Sequence, residues 1–132
     1  MKNYNTGLLI LRLSIGILML FHGVDKILNG IEGIENMLET KGIPTFLAFG
    51  VYIGEVIAPV LLVIGFRARI AALLLTINML VIIFIAHPSQ ILSLNQFGAW
   101  ALELSGLYLF GALAIIFTGS GRYALSHKNM WD

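Results

Sequence analysis

Residues 68–86 read ARIAALLLTINMLVIIFIA, with Arg69 the only charged residue and Thr76 and Asn78 the only polar side chains after it. A helix in water needs a polar outer face, and the unbroken apolar runs 71–75 and 80–86 leave none on this one. About 20 apolar residues cross a hydrocarbon core as a helix, so this stretch predicts a membrane span.

Three further stretches share its character: residues 6–28, 46–66 and 97–118. Breakers mark the ends, with Gly42-Ile43-Pro44 before the second span, His87-Pro88 after the third and Gly119-Ser120-Gly121 after the fourth. The spans take up most of the 132 residues and predict one all-α domain over 1–132, an integral membrane four-helix bundle. Composition agrees. Hydrophobic residues make up 58% and charged residues 11%, where a soluble chain carries about a quarter charged. A net charge of +1 gives no basic footprint, which sets nucleic acid aside. The chain has no cysteine, so no dithiol or disulfide chemistry can be its own. Lys2 ahead of an apolar run resembles a signal peptide, but Arg12 interrupts the run and no small-residue cleavage site follows, so the first stretch is read as a retained span.

Flanking charge predicts the orientation. Lys2, Arg67, Arg69, Arg122 and Lys128 fall on one side, and Lys26 and Lys41 stand among Asp25, Glu32, Glu35 and Glu39 on the other. The positive-inside rule then puts both termini in the cytoplasm, as expected for a multi-pass protein of a bacterial cytoplasmic (inner) membrane. In the first outer loop, Ile27, Ile31, Ile34 and Leu38 recur at helical spacing with acidic residues between them. That pattern suggests a short helix on the membrane surface, and a plain connecting loop fits nearly as well.

Charged side chains inside a span are costly and rare, and each needs an explanation. Arg12, Glu55 and Glu103 are such residues. At about 1.5 Å per residue, Glu55 falls near mid-membrane, Arg12 nearer the cytoplasm and Glu103 about one and a half turns into the fourth span. Arg12 and Glu55 can form a buried ion pair that fixes helix register. They can equally wall a polar pocket in which Arg12 holds an anionic or carbonyl group while Glu55 or Glu103 exchanges a proton. Arg12, Gly16, Met19, Gly23 and Lys26 share one face of the first helix, where the glycines allow either close helix approach or room for a ligand. Tyr52 precedes Glu55 by three positions, so its hydroxyl is expected near the carboxylate, and Pro59 follows. Asn78, midway along the third span, suits hydrogen bonding between helices or to a ligand. His22 and His87 sit near the outer surface and have the chemistry to ligate haem, yet no Glu-x-x-His spacing accompanies them, so interfacial hydrogen bonding is the expectation and no metal site is assigned. Trp100 and Trp131 read as anchors at the two membrane faces.

In four places the chain resembles the DoxX family of small bacterial membrane proteins. These are Leu11-Arg12-Leu13 with Gly16 and then His22-Gly23-Val24-Asp25-Lys26; Gly42-Ile43-Pro44; Glu55 through Leu61-Leu62, Gly65 and Arg67; and Gly119-Ser120-Gly121-Arg122-Tyr123-Ala124-Leu125-Ser126. Ala124 stands where the family usually has Ser, and Ser126 where it usually has Asp. The resemblance implies a component of a membrane redox system that works with a soluble redox enzyme and binds a quinone or similar lipid-soluble molecule, with Arg12, Glu55 and Glu103 as contacts. His22, Lys26, Tyr52, Asn78 and His87 complete the candidate ligand-binding set, and Glu55 and Glu103 are the candidate catalytic carboxylates. Two other classes fit the same residues: a small-molecule binder or transporter, which at four helices would need to form a homo-oligomer, and a membrane scaffold for a soluble enzyme.

Overall fold

A computed structural model describes residues 2–132, and they fold as an all-α bundle. Helix α1 covers Tyr4–Asn29, with the Asn3 side chain accepting from the Thr6 N–H at its start and Gly30 closing its end. A short helix α2, Glu32–Thr40, follows. Helix α3 runs Thr45–Ile64 and α4 Ala68–Ala86. Helix α5 covers Glu103–Thr118. By length and apolarity α1, α3 and α4 are candidate membrane spans, while α5 is apolar but has only 16 residues. Large apolar side chains such as Phe21, Phe84, Phe110 and Phe117 point outward, as a lipid-facing surface requires.

The structure decides one open expectation and differs from another. The acidic segment after α1 is a helix, with Glu32 and Glu35 in its first turn favouring the N-terminal end of its dipole. Its inner face, Ile31, Ile34, Met37 and Leu38, packs against Ala48, Val51 and Ile85. The fourth apolar stretch, expected from residue 97, becomes helical only at Glu103. Before it the chain makes a tight turn in which the Asn95 side chain accepts from the N–H groups of Phe97 and Ala99. Gly98 takes the positive φ of 81° that the turn needs, and Leu94 bridges to Trp100. A hydropathy reading sees the apolar side chains and not this turn.

Small residues let the long helices approach. Ala58, Ala68, Ala71, Ala72 and Ala112 are fully buried, with Ile15, Met19, Leu62, Leu75 and Ile115 filling the core between them. The α1 glycines serve this packing. A Cβ on Gly16 would lie 2.9 Å from the Pro59 carbonyl oxygen, and one on Gly23 would collide with the carbonyl of Glu55. That same carbonyl is the one Pro59 cannot serve, because proline has no N–H to offer four residues back. Close to it α3 widens into a π turn at Ile53–Ile57, and α4 ends in another at Ile82–Ala86.

The segments around Asn5 and Arg122 meet at one end of the bundle. The Arg122 N–H donates to the Asn5 side chain, and segment 119–132 folds across the helix ends there. Its anchors are Leu125 and Ser126 donating to the Ile64 and Gly65 carbonyls, and the Arg69 N–H donating to the Trp131 carbonyl.

Candidate functional site

At the other end, the five described helices line a cavity of about 750 Å³. Such a volume lies within the range of small-molecule sites, about 300–1,000 Å³. Met19, Leu74, Ile77, Ile82 and Ile85 give it an apolar wall, and α2 closes over it with Ile34, Met37 and Leu38. Its polar groups are His22 and Lys26 from α1, Glu55 from α3, Asn78 from α4, Ser105 and Tyr108 from α5, and His87 just beyond α4. Both π turns face it. Such turns are rare and recur at functional sites.

The polar groups are incompletely paired. Lys26 Nζ stands 3.5 Å from Glu55 Oε1, a long contact, and the Glu55 side chain is only 4% exposed. Among the described residues Glu55 Oε2 has no hydrogen-bond partner, nor does Asn78 Nδ2. Asn78 lies against Gly54, the residue before Glu55; a Cβ on that glycine would fall 2.5 Å from the Asn78 side chain. An ionised carboxylate can accept about four hydrogen bonds, so one long contact leaves most of that capacity open. A buried group in that condition costs stability unless something else completes it. The His22 ring meets Tyr108 edge-on, centroids 6.0 Å apart at 88°, and braces α1 against α5.

Of the residues the sequence singled out, His22, Lys26, Glu55, Asn78 and His87 line this cavity, and Arg12, Tyr52 and Glu103 do not. Arg12 makes no pair with Glu55. It is 2% exposed and donates to the Ser120 and Tyr123 carbonyls, each at 2.6 Å, at the opposite end of the bundle. Tyr52 donates to the Lys26 carbonyl at 3.3 Å, and the π turn that begins at Ile53 and contains Glu55 breaks the i, i+3 stacking that would have joined them. Glu103 is exposed in the first turn of α5, where the helix dipole favours a carboxylate. Ser105 and Tyr108 were missed. Their signal was available, as two polar side chains three apart in an apolar run. The π turn around Glu55 had a weaker one in Pro59.

The DoxX family model matches residues 7–88, from the start of α1 to the end of α4. The chain belongs to the DoxX family. The matched segment carries His22, Lys26, Glu55, Asn78 and His87; Ser105, Tyr108 and the closing motif at 119–126 lie beyond it. A Bacillus subtilis (strain 168) protein named "Putative oxidoreductase CatD" is 32% identical over 79 residues, which are 60% of this chain. The DoxX-family chain spans 58% of that relative's length. No solved structure matches.

Proposed function

We propose that this DoxX-family chain is the membrane subunit of a redox system and that its cavity holds the head group of a quinone or a similar lipid-soluble carrier. The carrying observation is the pair of unpartnered buried groups, Glu55 Oε2 and Asn78 Nδ2, on the wall of an otherwise largely apolar cavity. A quinone fits that wall. Its carbonyls would accept from the Asn78 amide and the Lys26 ammonium, the hydroxyls of its reduced form would donate to Glu55, and its tail would lie along the aliphatic side chains. Reduction consumes two electrons and two protons. With no cysteine on the chain, the electrons are assigned to a soluble redox enzyme partner, and Glu55 is the group that passes protons to the bound carrier. The relative's name, an oxidoreductase, favours this reading over transport without chemistry.

Titration of a short-chain benzoquinone into the protein in nanodiscs tests it, followed by tryptophan quenching. Glu55→Gln and Asn78→Leu are each expected to weaken binding at least tenfold, about 1.4 kcal/mol. Equal quenching curves for both variants and the wild type would reject the assignment.

The orientation belongs to the same proposal. Arg122 pairs with Asn5 and Arg69 with Trp131 at one end of the bundle, close to the basic flanks, so the positive-inside rule makes that end cytoplasmic and sets the cavity in the outer half of the membrane. A single cysteine at Lys128 should react with an impermeant maleimide only after cells are opened. Labelling in intact cells would invert the assignment.

A further inference from the structure

The segment joining α4 to α5 is left over once the cavity is assigned. From Pro88 to Leu102 it carries no charged residue, and three large apolar side chains stand out from it: Leu92 98% exposed, Leu94 72% and Phe97 83%. A connection through water would be expected to show the opposite pattern.

Its backbone is partly bonded within the segment itself. The Asn95 N–H donates to the Ala99 carbonyl at 2.6 Å and the Ala101 N–H to the Ser93 carbonyl at 2.9 Å. The Phe97 and Ala99 N–H groups are taken by the Asn95 side chain. Trp100 donates its indole N–H to the Ile91 carbonyl at 2.7 Å and lays its ring on Gly106, where a Cβ would be 2.5 Å away, so the hairpin is pinned to the first turn of α5. Meanwhile α5, at 16 residues, is only about 24 Å long, short of the roughly 30 Å of a hydrocarbon core.

The geometry points to residues 88–102 as a hairpin seated in the lipid head-group layer, with Leu92, Leu94 and Phe97 dipped into the acyl boundary. The occupant of this apolar surface is the bilayer itself. The absence of charge removes the main cost of that position, the internal hydrogen bonds lower the cost of irregular backbone there, and tryptophan is a residue favoured at this depth. The hairpin also supplies the length that α5 lacks. This inference is independent of what the cavity binds.

The cysteine-free sequence allows a direct test with single-cysteine variants in nanodiscs, where both faces are open to reagent. Leu94→Cys and Phe97→Cys are expected to react with an impermeant maleimide at least tenfold more slowly than Glu39→Cys on the exposed side of α2, and to label fully after SDS. In a Trp131→Phe background, Trp100 emission should be quenched more by lipids brominated near the head group than by lipids brominated at the chain ends. Labelling of Phe97→Cys as fast as Glu39→Cys overturns the inference. So does slow labelling without lipid quenching in which Leu94→Cys oxidises to covalent dimers, because a second copy would then cover the surface.

Discussion

The two ends of the bundle treat buried charge in opposite ways. At the end where Asn5 meets Arg122, Arg12 has two short bonds to carbonyls, and Arg67, held in the left-handed region at φ 50°, reaches the Asp132 carboxylate at 3.0 Å. Asp132 accepts in addition from the Ser126 hydroxyl at 2.6 Å and the Asn129 N–H at 2.8 Å. Arg12 and Arg69 each keep one unpartnered Nε, but neither faces the cavity. At the other end a carboxylate and an amide stand unsatisfied beside open volume. A buried charge is therefore not by itself the mark of a site. What separates the ends is open volume: unpartnered buried atoms occur at both, and those of Glu55 and Asn78 stand beside room for a ligand while those of Arg12 and Arg69 do not.

The largest effect that can break this comparison is on stability. Arg12→Met strips the Ser120 and Tyr123 carbonyls of their donor and should cost about 2–5 kcal/mol in unfolding from mild detergent. Glu55→Leu should stay within about 1 kcal/mol, since an under-paired buried carboxylate contributes little and Lys26, 21% exposed, can extend its ammonium toward water. Equal losses for the two variants would erase the distinction between the ends.

A smaller effect sharpens it. Burial raises the Asp132 carboxyl pKa, but the Ser126 hydroxyl, the Asn129 N–H and the Arg67 guanidinium outweigh burial and bring it from 3.8 to about 2. A depressed pKa stabilises the fold above the ordinary value, so the 119–132 cap should hold from neutral pH down to about 4 and loosen as pH falls from there toward 2. Hydrogen exchange of 119–132 should show that loosening, and Asp132→Asn should show it several-fold already at pH 7. Unchanged exchange in that variant would mean the backbone bonds hold the cap alone.

Much of this was legible in the sequence. The apolar runs and their breakers give α1, α3 and α4 to within two residues at each end, because hydropathy and helix termination are local. The start of α5 was not legible, since it depends on an Asx turn at Asn95 inside a run that is apolar throughout. For the site, the sequence identified which polar residues lie within apolar stretches and could not say which meet. Arg12 finds its partners more than a hundred positions away, and they are backbone carbonyls with no side-chain signature. Glu55 meets Lys26 because Gly23 brings α1 against the π turn of α3. In the closing segment Ser126 occupies the position where the family resemblance leads one to expect Asp; its hydroxyl donates to Asp132, which supplies the charge to Arg67 from six residues further on.

The central claim is that the cavity end, and not the Arg12 end, binds a lipid-soluble redox carrier. The direct measurement is mass spectrometry of the organic extract from protein purified in mild detergent, comparing wild type, Glu55→Gln and Arg12→Lys. The account predicts a quinone in the wild type, retained in Arg12→Lys and lost in Glu55→Gln. A carrier that survives Glu55→Gln and disappears with Arg12→Lys would contradict it.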